Sequence, residues 1–458
     1  MTGHRFDPTI LREYDIRGVF GETLFPADAA ALGRAFGSTL RRRGGRSVAV
    51  GYDGRISSPE LEAALVEGLA STGLEVKRIG LGPTPMLYFA VFHLPADGGV
   101  MVTGSHNPAD YNGFKMMLGH ESVHGKAIKR LGETAAKADF ETGSGSVGET
   151  PVLEAYVERI ASDYRGRRDL KVGWDPGNGA AGPAVVKLVR RLPGRHRVIN
   201  EQVDGTFPAH HPDPTVPKNL EQLRDLVLKE RLDLGLAFDG DADRLGVIDG
   251  AGEILWGDQL MVLLSREVLS RRKGAPIIAD VKASQVLFDE IARAGGEPVM
   301  WKTGHSLIKS KMAETKAPLA GEMSGHIFFA DGYYGFDDGL YAAIRLLNVV
   351  ANAPQSLAEM RAALPKVVNT PELRFPCPED RKFKVVEEVR ERLAAAKADV
   401  IAVDGVRVRT RDGWWLLRAS NTQDVLVARC EAGDEEGLAR LKRALAAELE
   451  RSGVSVPV

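Results

Sequence analysis

The sequence predicts an α/β protein of three similar mixed-sheet α/β domains, closed by a smaller C-terminal α+β domain. Three observations lead there. Short β-branched runs alternate with stretches of helical periodicity over most of the chain. Three times a strand-like run ends in an acidic turn: VAVGYDGR with Asp53, KVGWDPGNGA with Asp175 and IIADVKAS with Asp280. These turns lie roughly a hundred residues apart, the length of a small domain. Beyond Pro365 the alternation stops, and strands and helices segregate.

In chain order, the strand-like runs are Ser47–Val50, Leu74–Ile79, Gly99–Thr103, Lys171–Trp174, Leu234–Phe238, Pro276–Ala279 and Pro298–Trp301. The helical stretches between them are Ala27–Arg42, Ser58–Ser71, Val152–Tyr164, Leu220–Lys229, Gln259–Arg271 and Ser284–Ala294. After an irregular, proline-containing stretch come a helix over Lys384–Lys397 and strands over Asp399–Val403, Val406–Thr410, Trp414–Arg418 and Asp424–Glu431. A last helix covers Gly437–Arg451. The Gly- and Ser-rich stretch ETGSGSVGETP marks a first boundary, and the expected domains span 1–150, 151–252, 253–366 and 367–458.

Composition narrows the function. Sixty Lys+Arg against 62 Asp+Glu leave no basic excess, so neither nucleic acid nor an acidic membrane is an expected partner. Two cysteines, Cys377 and Cys430, give no disulfide framework and fit a reducing compartment. The stretch MTGHRFDPTILREYDIRG lacks the apolar run of a signal peptide, and no run is long enough to span a bilayer. A cytoplasmic protein is expected, and a monomer, because no broad apolar surface stripe is evident.

Four segments carry chemistry. Thr103-Gly104-Ser105-His106-Asn107-Pro108 leaves a strand-like run. A hydroxyl on a rigid loop suits a nucleophile or phosphate carrier. By spacing alone, however, these residue types read first as an ordinary turn. Asp239-Gly240-Asp241-Ala242-Asp243-Arg244 puts three carboxylates at alternate positions of one loop. They repel one another unless a cation intervenes, and hard oxygen ligands suit Mg²⁺ or Ca²⁺. An EF-hand is excluded, because Arg244 stands where its glycine would be and Gly250 where its glutamate would be. Gly321-Glu322-Met323-Ser324-Gly325-His326 offers hydroxyl acceptors between glycines but is a weak signal alone. Arg418-Ala419-Ser420-Asn421-Thr422 reads equally as a phosphate cradle or a polar turn.

Together and in this order, the four segments resemble the α-D-phosphohexomutase superfamily, in its bacterial phosphomannomutase/phosphoglucomutase branch. The resemblance runs from Glu13-Tyr14-Asp15-Ile16-Arg17-Gly18 to Thr422. It implies four domains around a central cleft. It implies Ser105 as the phosphoserine, with Mg²⁺ on Asp239, Asp241, Asp243 and the Ser105 phosphate. Glu322 and Ser324 would grip the sugar 3- and 4-hydroxyls, and Arg418, Ser420, Asn421 and Thr422 the non-reacting phosphate. Tyr14, Arg17, Lys115, Arg244, Lys282, His305 and His326 match cleft residues. The segment Trp301-Lys302-Thr303-Gly304-His305-Ser306 and Met323 look like the dual mannose/glucose enzymes rather than glucosamine-phosphate mutases. One departure stands out: the family's S-N-T-x-P loop reads Ser420-Asn421-Thr422-Gln423-Asp424 here. Losing proline would loosen the loop, and Asp424 would add charge beside a phosphate.

The implied reaction interconverts hexose 1- and 6-phosphates of mannose or glucose through a 1,6-bisphosphate. Glucose 1,6-bisphosphate, or its mannose counterpart, would serve as activator. Lys115, Arg17 and Arg244 would stabilise the transferring phosphate, and His305 or Lys115 would move the hydroxyl proton. Bisphosphate turnover implies a fourth domain that opens and closes, with Asn369–Pro371 as hinge. The rivals are a glucosamine-phosphate mutase, a phosphatase and a non-catalytic phosphosugar-binding protein.

Overall fold

The computed structural model describes residues 3–421 and 423–455. Four sheets follow one another along the chain. The first runs Ile16–Val19, Tyr111–Leu118, Gly98–Val102, Ser47–Tyr52, Glu75–Leu81 and Ser146–Glu149, with Glu121–Ser122 paired to Tyr111–Leu118. The second runs Ile254–Leu255, Leu245–Asp249, Leu234–Phe238, Leu170–Asp175 and Gly194–Val198. The third runs Glu297–Trp301, Pro276–Asp280, Leu319–Gly321 and Ile327–Phe329.

These three sheets repeat one arrangement. The strand leading into Asp53, or ending in Asp175 or Asp280, lies between two parallel neighbours. One of those neighbours then pairs with the next strand in antiparallel fashion. The connection across that antiparallel pair is the serine segment in the first sheet, the triple-Asp segment in the second and the Glu322 segment in the third. Three of the four chemical segments thus occupy one topological position. The fold delivers them to the carboxyl ends of parallel strands, where α/β sheets expose their loops.

The fourth sheet is antiparallel throughout, in the order Val368–Asn369, Val425–Ala432, Gly413–Ala419, Val406–Thr410 and Asp399–Ile401, with Leu373–Pro376 also paired to Val425–Ala432. Helices Glu379–Ala395 and Glu435–Arg451 accompany it, around an apolar core of its own. Both cysteines are free and buried there or at its edge. No helix among the described residues is long and apolar enough to cross a membrane.

The expected strands and helices form with ends shifted by a few residues, as fraying termini do. Helices Thr84–His93 and Gly339–Asn352 escaped the periodic reading for a physical reason. Both are buried nearly all round: Thr84–His93 carries no polar stripe, and in Gly339–Asn352 only Arg345, Asn348 and Asn352 interrupt the apolar surface. The 141–151 stretch also supplies the edge strand Ser146–Glu149, exposed at all four positions and therefore without an apolar alternation.

A single apolar cluster joins the first three sheets, with Trp174 fully buried within it. The fourth sheet docks on the third through polar anchors. The buried Arg407 lies 3.6 Å over the Trp414 ring and donates to the carbonyls of Val281 and Ala283, each at 2.7 Å. Glu431 accepts from the backbone N–H of Gln285 and the indole N–H of Trp414, each at 2.9 Å. These contacts sit just beyond Asp280 and hold the Arg418 segment over the third sheet.

Candidate active site

Ser105 adopts a left-handed backbone conformation, with φ of 48°. A non-glycine residue enters that region at a cost of about 1 kcal/mol, a strain tolerated only where surroundings fix it. Its hydroxyl, nearly buried, donates to Asp239 Oδ2 at 2.9 Å. Arg17, from strand Ile16–Val19, clamps the same loop by donating to the Gly104 carbonyl and to Asn107 Oδ1, while pairing with Asp15. The serine loop and the acidic loop touch backbone to backbone: a Cβ on Gly240 would lie 2.4 Å from the Ser105 carbonyl oxygen. Only glycine permits that approach.

Asp239, Asp241 and Asp243 are all fully buried, and one carboxylate oxygen from each lies within 4.8 Å of the others. Lys115, on strand Tyr111–Leu118, donates to Asp241 at 2.7 Å and to Asp243. Burial disfavours the Lys115 ammonium, but the two carboxylates outweigh it and raise its pKa. Lys115 is therefore a fixed cation here rather than a proton acceptor. Burial and the neighbouring carboxylates push Asp239 well above the ordinary carboxylate range and Asp243 above it. For Asp241 burial pulls the same way, yet Lys115 outweighs it and keeps the group ionised.

One ammonium does not balance three carboxylates. The Oδ1 atoms of Asp241 and Asp243 have no hydrogen-bond partner despite their burial. Orphaned buried carboxylate oxygens are costly unless a cation takes them. This donor set of hard oxygens fits a divalent ion such as Mg²⁺. A second grouping, Asp243, His326 and Asp337, fits a metal less well. Lys309 already donates to Asp337 at 2.9 Å, and Arg244 Nε donates to His326 Nε2 at 3.0 Å.

Those contacts order the histidines. With Nε2 accepting from Arg244, His326 carries its proton on Nδ1 and donates it to Asp337 at 3.0 Å. His305 stacks on His326, ring centroids 5.5 Å apart, and its Nδ1 stands 3.6 Å from Asp337 without a hydrogen bond. Burial, then Lys309, holds the His305 pKa well below its usual value, so the ring is neutral. His305 is thus a neutral imidazole in the cleft, whereas Lys115 is tied to Asp241 and Asp243. Arg244 also reaches toward His106 at 3.4 Å and Asp213 at 4.0 Å.

A second cluster gathers around the third and fourth sheets. Glu322 accepts from the Gly304 N–H at 2.7 Å, and Ser324 sits half-buried on the same turn. Asp280, raised to about 6 by burial, accepts from the Met323 N–H at 3.2 Å and holds this turn in place. Lys282 pairs with Glu372 at 3.0 Å, and Arg418 with Asp404 at 2.9 Å. Ser420 and Asn421 follow Arg418, while Thr422 lies outside the described residues.

Tyr14 spans the cleft between the clusters. Its hydroxyl donates to the Thr303 carbonyl at 2.8 Å and accepts from Asn421. Burial pushes its pKa up to about 12, so it stays a donor. Tyr14→Phe removes both bonds between the first, third and fourth sheets. The expected result is a KM several-fold higher at near-constant kcat, for a loss of about 1 kcal/mol; steady-state kinetics on the variant checks it.

The Asp424 departure takes a different form from the one expected. Its side chain is exposed, and its carbonyl accepts from the Cys377 N–H at 2.9 Å. The buried Lys382 ammonium donates to the Gln423 carbonyl at 3.0 Å. Arg374 also donates to the Gln423 side chain. Three contacts brace the loop where proline is missing.

Sequence reasoning missed Asp337, Thr84, Asp404 and Glu372. Thr84 Oγ1 donates to Asp241 Oδ2, and its N–H to the Asp241 carbonyl at 2.8 Å. Asp337 lies in GYYGFDDG, beside Asp338, which caps helix Gly339–Asn352 by accepting from the Tyr341 N–H. The paired aspartates were the available signal.

Comparison with known proteins bears on this arrangement. Residues 8–142, 154–252 and 256–368 match the phosphoglucomutase/phosphomannomutase alpha/beta/alpha domains I, II and III. Residues 372–448 match the phosphoglucomutase/phosphomannomutase C-terminal domain. A phosphomannomutase/phosphoglucomutase of Pseudomonas aeruginosa is 46% identical over 450 residues, covering 98% of this chain and 97% of its own. A phosphoglucomutase of Neisseria gonorrhoeae is 42% identical over 450 residues, covering 96% of each chain. The crystal structure of a phosphoglucomutase/phosphomannomutase family protein from Burkholderia thailandensis superposes with a TM-score of 0.94 at 44% identity, covering 99% of this chain and 100% of its own.

Proposed function

The chain belongs to the phosphoglucomutase/phosphomannomutase family, and from that premise we propose that it interconverts the 1- and 6-phosphates of mannose and glucose by way of a phosphorylated Ser105. It is an enzyme of the mutase class, an intramolecular phosphotransferase. The observation that carries the Ser105 reading is its placement. A strained serine donates its hydroxyl to Asp239 of a buried acidic triad, while Arg17 holds its loop and Lys115 pairs with Asp241 and Asp243. Four domains remain our reading, one around each sheet, although strand Ile254–Leu255 of the second sheet lies beyond the expected boundary at 252.

In this mechanism a hexose 1-phosphate enters with its phosphate on Arg418, Ser420, Asn421 and Thr422. Glu322 and Ser324 take the 3- and 4-hydroxyls, and Lys282 adds charge between Asp280 and Glu372. The sugar O6 then faces Ser105. His305 accepts the O6 proton, as a neutral imidazole can. O6 bonds to phosphorus as the Ser105 Oγ–phosphorus bond breaks, and the leaving Oγ takes a proton from water to end as a neutral hydroxyl. Arg17, Lys115 and Arg244 offset the charge on the equatorial oxygens. Asp239, Asp241 and Asp243 would hold Mg²⁺ together with the Ser105 phosphate. Bound there, the ion would supply Lewis-acid polarisation of phosphoryl oxygens. The 1,6-bisphosphate reverses in the cleft and returns its C1 phosphate to Ser105. O3 and O4 serve as handles in both poses, and domain opening about Asn369–Pro371 makes room.

The test is a coupled assay of purified protein with Mg²⁺ and a trace of glucose 1,6-bisphosphate. Mannose 1-phosphate and glucose 1-phosphate are offered separately. Both 6-phosphates are expected. No 6-phosphate from either sugar, with Ser105 verified as phosphorylated, would overturn the proposal.

A further inference from the structure

The acidic turn after strand Ser47–Tyr52 takes no part in the mechanism above, yet it lies directly beneath Ser105. Arg55, three residues past that strand, is almost completely buried. Its two terminal nitrogens donate to four carbonyls of a single loop. Nη2 reaches Ser105 O at 2.7 Å and Asn107 O at 2.6 Å. Nη1 reaches Tyr111 O at 2.9 Å and also Pro108 O. Asp53 completes the platform: its Oδ2 accepts from the Gly104 N–H at 3.0 Å and from the Thr103 hydroxyl at 2.8 Å. The same oxygen lies 3.3 Å from Arg55 Nε.

We propose that Arg55, oriented by Asp53, is the positioning residue that holds the Ser105 loop in its strained left-handed turn and so aims the carried phosphate at the sugar hydroxyl rather than at water. This rests on the phosphoserine reading above. Three features favour it. The planar guanidinium presents fixed, forked donors, which a lysine cannot reproduce across four acceptors. One of those acceptors is the carbonyl of Ser105 itself, next to the strained φ of 48°. The guanidinium also fills the space against the next residue back: a Cβ on Gly104 would meet Arg55 Nε at 2.2 Å and Cζ at 2.3 Å. The loop sequence and the arginine therefore fit one another. Arg17 grips the loop by the Gly104 carbonyl and the Asn107 side chain, so the turn is held by two arginines.

The consequence is fidelity of transfer. In the leak reaction a water oxygen bonds to phosphorus, the Ser105 Oγ–phosphorus bond breaks, and a water proton passes to Oγ. Inorganic phosphate leaves and Ser105 is left free. A displacement of about 1 Å in a reacting group can cost on the order of 100-fold in the aimed reaction. Water, which needs no aiming, loses far less.

The measurement is the ratio of inorganic phosphate released to 6-phosphate formed, for wild type, Arg55→Lys and Gly104→Ala, each with Ser105 phosphorylated. The ratio is taken over the same phosphorylated molecules, so a smaller folded fraction does not change it. Arg55→Lys keeps a buried charge beside Asp53 if the larger change Arg55→Met does not fold. At least a ~10-fold rise in the ratio is expected for both variants. An unchanged ratio in folded Arg55→Lys and Gly104→Ala, with wild type isomerising normally, would mean that Arg55 only stabilises the fold. Wild type forming no 6-phosphate would instead remove the phosphoserine reading on which the inference depends.

Discussion

Ser105→Ala is expected to lower kcat by at least ~10⁴-fold while leaving hexose phosphate affinity within about twofold. The size of the loss follows from role. The hydroxyl is the only group in the mechanism that carries phosphate between half-reactions, so its loss removes a covalent step rather than weakening one. Affinity is spared because the groups that hold the sugar lie elsewhere. Glu322 is anchored on Gly304, Lys282 on Glu372 and Arg418 on Asp404, none of which touches Ser105. The structural cost is small by comparison. Alanine gives up the 2.9 Å bond to Asp239, worth about 1 kcal/mol. Calorimetric binding of glucose 1-phosphate beside kinetics separates the two effects.

The second large effect concerns the acidic loop. Chelation of divalent ions is expected to lower activity by ~10³-fold, with full recovery on adding Mg²⁺. Asp243→Asn is expected to weaken Mg²⁺ binding at least ~10-fold. Stability provides a readout independent of turnover. Two of the three buried carboxylates share one lysine, and two of their oxygens have no partner. An ion that binds only the folded state adds about 2.7 kcal/mol at a hundredfold excess over its Kd. Titrating Mg²⁺ into chelated protein should therefore raise the unfolding temperature, and Asp243→Asn should blunt that rise. A wild-type unfolding temperature indifferent to Mg²⁺ would count against the triad as a metal site.

How much of this was legible in the sequence depended on whether the chemistry lay in one run of residues. The serine loop, the triple-Asp loop and the Glu322 turn each sit in a single connection between paired strands, so each shows as a short motif. The repeated strand-end aspartates were visible for the same reason, and they mark the centre of each repeated sheet. What Asp53 and Asp280 do was not visible. Asp53 meets Gly104 some fifty residues on, and Asp280 meets Met323 some forty on, through contacts that only the sheet creates. Thr84 reaches Asp241 over a still longer separation, and Asp337 touches the centre through His326. Lys115 was expected either as a cation or as a proton carrier, and that choice hung on its distance to Asp241 and Asp243. The contacts of Lys382 and Arg374 with Gln423 leave no trace beside Asp424 in the sequence, because both lie on other elements.

The most direct test of the central claim follows the phosphate itself. Protein carrying isotopically labelled phosphate on Ser105 is mixed with unlabelled glucose 1-phosphate for a single turnover. The products are then resolved by position. The account requires the label to appear first at C6 of glucose 1,6-bisphosphate and then of glucose 6-phosphate. Glucose 6-phosphate forming while the label stays on the protein, or leaves only as inorganic phosphate, would contradict it.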